Sequence, residues 1–238
     1  KGNLFIAIKG KNYDGNVFAK EALTNKANYC VVQKNINKLD KNKLIKYPNT
    51  KIFLNKLAVL KRNHINTKVI AITGSSGKTT LKTLIGKTLN EYGKTYFSQK
   101  SYNNHIGVPL SLCNLENDHK YGVFEIGMSN KGEIRKLSSL VKPDIAIITN
   151  IGEAHIENFD NLNGIAKAKS EIIEKINEGG FLILNRDDKY FDYLLKRTKT
   201  RKINVLSFGL SSKANARLIN NRVHKNYNSL HFRVLNKN

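Results

Sequence analysis

The sequence predicts an α/β fold. A small N-terminal α/β domain over residues 1–66 precedes a P-loop-type central domain over residues 67–238, which has a mostly parallel sheet and a short β tail. Three observations predict it. Short β-branched runs alternate with helical stretches, the pattern of βαβ units. One such run, Val69–Thr73, ends in a glycine turn that opens a helix. The final stretch, Ala214–Leu235, loses the helical period and reads as short alternating strands.

In the first domain, Leu4–Ile8 reads as a strand, Lys9–Gly15 as a polar turn, Val17–Leu23 as helical and Tyr29–Val32 as a strand. Residues 35–49, rich in lysine and asparagine, read as a connection. Lys51–Leu54 is expected to form another strand, followed by a helix through Leu57 and Leu60. In the central domain the strands are Val69–Thr73, Lys94–Phe97, Tyr121–Ile126, Asp144–Thr149, Phe181–Leu184 and Ile203–Phe208. The helices between them are Lys78–Glu91, Ile106–Leu115, Glu133–Val141, Leu162–Asn177 and Lys189–Lys196.

Composition narrows the function classes. A chain of 238 residues with 25% charged and 40% hydrophobic residues is globular rather than disordered. No apolar run approaches the roughly 18–20 residues that span a bilayer. The start runs directly into a strand-like segment, so no signal peptide and a cytoplasmic location are expected; the lack of an initiating Met leaves room for a longer N-terminus. The net charge of +23 suggests a polyanion partner, but the lysines are scattered, outnumber the arginines, and do not interleave with aromatics in one patch. No nucleic-acid partner is therefore expected. Cys30 and Cys113 sit in separate apolar settings and read as two buried free thiols.

The segment Thr73-Gly74-Ser75-Ser76-Gly77-Lys78-Thr79-Thr80 is the strongest single signal. A strand, a glycine turn and a helix start place backbone N–H groups and the helix dipole around an anion. Lys78 would reach the β- and γ-phosphates of ATP, and the Thr79 hydroxyl would hold Mg²⁺. The loop is a short variant: Ile72 stands six residues before Lys78, where the usual spacing has glycine. Alone it predicts a nucleoside triphosphate and no particular reaction.

Further blocks follow in order: Ser101-Tyr-Asn-Asn104-His-Ile-Gly-Val-Pro-Leu110, Glu125-Ile-Gly-Met-Ser129 with Gly132-Glu-Ile134, Ile148-Thr-Asn-Ile-Gly-Glu-Ala-His155, and Gly164-Ile-Ala-Lys-Ala-Lys169-Ser-Glu-Ile172. Together they resemble the Mur ligase family. The Asn103–Leu110 block resembles its D-alanyl-D-alanine-adding branch in particular, and Gly2–Gly10 with Tyr13-Asp14-Gly15 resembles that branch's UDP-sugar-binding domain. The resemblance implies an ATP-dependent amide ligase of peptidoglycan precursor synthesis. Such an enzyme joins D-alanyl-D-alanine to UDP-N-acetylmuramoyl-tripeptide through an acyl phosphate and works as a monomer. It also implies a C-terminal, amine-binding domain that this sequence lacks, so that the chain alone should bind nucleotide weakly and not ligate. Rival readings are a Mur-type ligase adding the third amino acid, a folylpolyglutamate-type ligase, and a basic P-loop nucleic-acid-binding ATPase.

By resemblance, Glu125 is a metal-binding carboxylate. Its place at the end of a strand beside a phosphate loop suits Mg²⁺. His155 joins the metal set only by resemblance, since magnesium prefers oxygen. Asn103, Asn104 and Asn150 are candidate substrate contacts, with turn and cap chemistry as the alternative. Lys9 and Asp14–Gly15 stand as possible UDP contacts, and Asn185–Asp188 as a helix cap or a nucleotide contact. Lys169 has an argument of its own. At about 100° per residue from Ile165, Ile172, Ile176 and Ile173 fall near −20°, +20° and +80°, and Lys169 falls inside that apolar stripe near +40°. Lys167 falls on the opposite face. A buried lysine either snorkels out or has its pKa lowered, and a neutral amine reacts with CO₂. The resemblance implies a carbamylated Lys169 that serves a second Mg²⁺ and places Lys78, His155 and Lys169 among the catalytic residues.

Overall fold

The computed structural model describes residues 2–10 and 12–235, and the chain divides into two compact units, Lys1–Asn63 and His64–Asn238.

The first unit is built on β1 (Leu4–Ile6), β2 (Tyr29–Val32) and β3 (Leu44–Lys46), a parallel sheet in that order. A single 3₁₀ turn at Gly15–Phe18 leads into α1 (Ala19–Thr24), and Ala7, Ala19, Cys30 and Val32 form the core. The strand expected at Lys51–Leu54 is instead the first turn of α2 (Thr50–His64). The cause is a cap: the Asn49 side chain accepts the N–H groups of Lys51 and Ile52 at 3.0 and 3.2 Å. Leu54 and Ala58, four apart, are buried on one helix face. The connection expected at residues 35–49 contains β3, whose short apolar pair Leu44-Ile45 is hidden among lysines at the edge of the sheet.

The second unit holds β4 (Lys68–Thr73), α3 (Lys78–Asn90), β5 (Thr95–Phe97), α4 (Gly107–Cys113), β6 (Tyr121–Glu125), α5 (Glu133–Val141), β7 (Ile145–Ile148), α6 (Leu162–Ser170), β8 (Phe181–Asn185), α7 (Phe191–Lys196), β9 (Asn204–Gly209), β10 (Ala216–Val223) and β11 (Asn228–Val234). They form one eight-stranded sheet in the order β11-β10-β9-β8-β7-β4-β6-β5. Every neighbouring pair is parallel except the β10–β11 hairpin, which is the expected β tail. Residues 69–73 of β4 are buried without alternation, because helices cover both faces of a parallel sheet.

Two helices differ from expectation. The one expected over Leu162–Asn177 stops as an α-helix at Ser170 and tightens into a 3₁₀ turn over Glu171–Lys175. The one expected from Lys189 begins at Phe191. Of the two cysteines, Cys30 is buried and Cys113 only half-buried; neither forms a disulfide. No helix among the described residues is long and apolar enough to cross a membrane.

The register positions the site. β4 lies between β6 and β7, with Ile72 opposite Glu125 and Thr73 opposite Ile148. The carboxyl ends of these three strands are therefore level, so the segments after Thr73, Glu125 and Ile148 emerge side by side. That crevice beyond the strand ends is where open α/β sheets take ligands.

Candidate active site

The phosphate loop leaves β4 at Gly74, whose φ is +145°. A β-carbon there would lie 1.8 Å from the Thr149 hydroxyl oxygen, so the close approach of the loop to the end of β7 requires glycine. The loop is braced by that neighbour. The Asn150 side-chain oxygen accepts the N–H groups of Ser75 and Ser76 at 3.2 and 3.0 Å. The Thr149 hydroxyl donates to the Ser76 carbonyl at 2.6 Å, and the Ser75 hydroxyl bridges Gly152 O and N at 2.9 and 2.8 Å. Asn150 thus shapes the loop directly. The first-turn N–H groups of α3, beginning at Lys78, have no intrahelical acceptor and stay available to an anion. The Lys78 ammonium donates to the Gly74 carbonyl at 2.9 Å; burial lowers its pKa and the Glu125 charge raises it. Ser76 and Thr80 are exposed, and Gly77 caps α3.

Glu125 ends β6 and is only 2% exposed. Its Oε2 accepts the Thr79 hydroxyl at 2.7 Å and its Oε1 accepts the Asn103 amide at 2.8 Å. The Thr79 hydroxyl also lies 3.2 Å from that of Ser101. Thr79, Ser101, Asn103 and Glu125 therefore form one oxygen-rich cluster beside the loop. Asn104 caps α4, accepting the N–H groups of Ile106 and Gly107 at 3.0 and 2.9 Å.

A cavity of about 510 Å³ opens above this cluster and is lined by Gly74, Lys78, Asn103, Asn104, His155 and Lys169, among others. Lys136 and His105 add positive or protonatable groups, and Glu133 is a lining carboxylate already held by the N–H groups of Ser129 and Asn130 at 2.6 and 3.2 Å. The cavity is therefore set for anions. Lys169 is 2% exposed, whereas Lys167 is exposed. Burial, with the Lys78 charge second, lowers the Lys169 pKa to about 7. His155 sits at the rim with about half its side chain exposed and a left-handed backbone, φ +62°.

Sequence reasoning passed over several supporting residues. Glu171 is buried and accepts the N–H groups of Gly132 and Arg135, both at 3.0 Å, so it caps α5 from another element and ties it to the turn after Lys169. Asp188 accepts the Ile151 N–H at 2.7 Å and holds the segment that carries Asn150. Asp187 accepts the Leu210 and Ser211 N–H groups at 2.5 and 2.9 Å. The Asn185–Asp188 run thus works as turn and strand-end capping. Glu171 lies two residues after Lys169, but no helical period marks a cap donated across elements. Elsewhere, Glu116, Asp118 and His119 cluster on an exposed turn, where the Lys94 ammonium already bridges the two carboxylates at 2.5 and 2.8 Å. In the first unit, Lys9 and Gly10 line a separate cavity of about 320 Å³ with Gln33, Asn49, Thr50 and Lys51. Asp14 there accepts the N–H of Asn16 at 3.0 Å, as a turn residue does.

Residues 72–238 match the family description "Mur ligase middle domain". This chain belongs to the Mur ligase family. A relative from Rickettsia prowazekii (strain Madrid E), the UDP-N-acetylmuramoyl-tripeptide–D-alanyl-D-alanine ligase, is 39% identical over 220 residues, covering 92% of this chain and 49% of the relative. Among solved structures, MurF from Acinetobacter baumannii superposes with a TM-score of 0.85 at 30% identity, covering 97% of this chain and 50% of that one. The MurF ligase of Thermotoga maritima in complex with ADP superposes with a TM-score of 0.83 at 28% identity, covering 100% and 54%. The chain spans about half the length of the curated relatives it matches.

Proposed function

We propose that this chain is the nucleotide-binding core of an ATP-dependent ligase that joins D-alanyl-D-alanine to UDP-N-acetylmuramoyl-tripeptide. The observation that carries the reading is one cationic cavity in which the phosphate loop, the Asn103–His105 segment, His155 and buried Lys169 meet. The Rickettsia relative bears the name of that activity.

The residues fit a magnesium nucleotide. The Thr79 hydroxyl and the buried Glu125 carboxylate are hard oxygen donors 2.7 Å apart, the kind Mg²⁺ selects. The metal would neutralise charge on the transferring phosphoryl group. Lys78 and the first-turn N–H groups of α3 hold the phosphates. Lys136 faces the same space and suits the substrate carboxylate. That carboxylate takes the γ-phosphoryl group as ADP departs. The D-alanyl-D-alanine amine then displaces phosphate, losing a proton as the amide forms.

Lys169 enters as a carbamate. Its neutral amine adds to CO₂, a C–N bond forms and one proton is released. The product is an anion which, with His155, would hold a second Mg²⁺. Asn103 and Asn104 would orient the substrate, while Asn150 keeps the loop in shape.

Amide formation by the full-length gene product, read by mass spectrometry of the UDP-linked pentapeptide, tests the proposal. Product is expected with D-alanyl-D-alanine and ATP together and not with single amino acids. A thermal-shift comparison separates the basic-ATPase reading. Stabilisation by Mg·ATP and by UDP-N-acetylmuramoyl-tripeptide is expected; salt-sensitive stabilisation by DNA alone would overturn the proposal.

A further inference from the structure

Among the described residues, Lys82 is a buried cation that this chemistry does not use. Lys82 lies on α3, three residues after Thr79, and is 0% exposed. A lysine is rarely buried so completely, because its ammonium must replace water with acceptors. Its acceptors lie on one segment: the Ser98 hydroxyl at 3.2 Å and the Lys100 carbonyl at 3.0 Å. The Ser98 hydroxyl donates to the same carbonyl at 2.8 Å. None of these groups is an anion, so the ammonium is spent on holding a piece of backbone.

Packing explains why it can. At Gly86, one turn further along α3, a β-carbon would come within 2.4 Å of the Phe97 ring. Helix and strand are therefore in close contact there, and Lys82, on the same helix face, reaches over the end of β5 to Ser98–Lys100. The chain then runs directly into the oxygen-rich cluster of Thr79 and Glu125. Ser101 lies 3.2 Å from the Thr79 hydroxyl, the Asn103 amide donates to Glu125 at 2.8 Å, and the Asn103 carbonyl accepts the Gly127 N–H at 2.8 Å.

We propose that Lys82 is a positioning residue for the metal–nucleotide site: it straps Ser98–Lys100 to α3, and so holds Ser101 and Asn103 against Thr79 and Glu125 at the spacing a divalent cation requires. The inference rests on the nucleotide-site reading and adds a residue that touches neither metal nor nucleotide. It makes a claim about sign. As a bare charge near Glu125, Lys82 would repel a metal ion, and its removal would strengthen Mg²⁺ binding. As a strap, its removal weakens Mg²⁺ binding, because the partners that orient the ligands relax.

The test is calorimetric titration of ATP into the full-length gene product, with Mg²⁺ and with EDTA, for wild type, Lys82→Met, Asn103→Ala and the double variant. Methionine keeps the length and apolar stem of lysine and removes the charge and the donors. Lys82→Met should reduce the magnesium-dependent gain in ATP affinity by roughly 10-fold or more, and leave the metal-free affinity unchanged. The double variant should lose no more than the stronger single one, since both act through one segment. A Lys82→Met protein that melts earlier yet keeps the full magnesium gain overturns the proposal, as does one that binds Mg²⁺ more tightly. If Lys82→Met does not fold, Ser98→Ala serves instead. It removes one acceptor and should cost a smaller part of the same gain; no loss, or a loss additive with Asn103→Ala, counts against the strap. Wild-type protein with no magnesium-dependent gain would remove the nucleotide-site reading and the strap together. A gain kept intact in the variants removes the strap alone.

Discussion

Replacing Lys169 with methionine should separate two consequences of one buried amine. The ammonium has an ordinary pKa of 10.5, and burial beside Lys78 brings it to about 7. Near pH 7.5 about three-quarters of the Lys169 side chains are then neutral, against about one in a thousand for a solvated lysine. The neutral, CO₂-reactive population is then several hundred times larger than for a solvated lysine. The same shift is a stability statement. Between pH 7 and pH 10.5 the unfolded chain binds the proton that the folded chain has released, so stability rises with pH across that window and the full penalty applies below it. Linkage puts the penalty at about 4 kcal/mol near pH 7 and about 2 kcal/mol near pH 9. Urea unfolding in CO₂-free buffer should therefore show wild type gaining about 2 kcal/mol more than Lys169→Met over that interval. Carbon NMR with isotope-labelled bicarbonate should show one carbamate resonance in wild type and none in Lys169→Met. Parallel pH profiles for the two proteins, or a resonance that survives the substitution, would refute the reasoning.

Other perturbations probe the neighbouring parts. Glu125→Gln keeps the shape of the side chain and removes its charge, so the magnesium-dependent part of ATP affinity should fall roughly 10–100-fold, while calorimetry in EDTA shows little change. Equal losses in both buffers would deny the carboxylate a metal role. Gly74→Ala forces a β-carbon to within 1.8 Å of the Thr149 hydroxyl oxygen at φ +145°; a stability loss of about 3 kcal/mol or more is expected in denaturant titration. Asp188→Ala leaves the N–H groups of Ile151 and Tyr190 without their acceptor. It should cost about 2 kcal/mol and speed hydrogen exchange at Ile151; unchanged exchange there would show that the segment is held by other means.

The central sheet was legible because its strands are short, β-branched and separated by helices of ordinary length. The burial of Lys169 was legible too. Although the helix changes type after Ser170, Lys169 is buried together with Ile172, Ile173 and Ile176. The first unit was harder to read. Ile52 and Leu54 look like strand residues in a short window, and a single side chain, Asn49, turns the segment into a helix. Leu44-Ile45 is too brief a run to stand out among lysines, and only pairing with β2 makes it a strand.

The Mur ligase pattern and the strand–glycine turn–helix of the phosphate loop can be read from residue type and order along the chain. Which side chains meet depends on how the strands pair. Thr79 and Glu125 are far apart in sequence and 2.7 Å apart in the fold because β4 and β6 pair with Ile72 opposite Glu125. Asn150 braces the loop because β7 lies on the other side of β4. Lys82 carries no motif at all. Its role follows from burial and from the two acceptors that α3 finds at the end of β5. Strand register and close packing are properties of pairs of segments, and no local reading of one segment contains them.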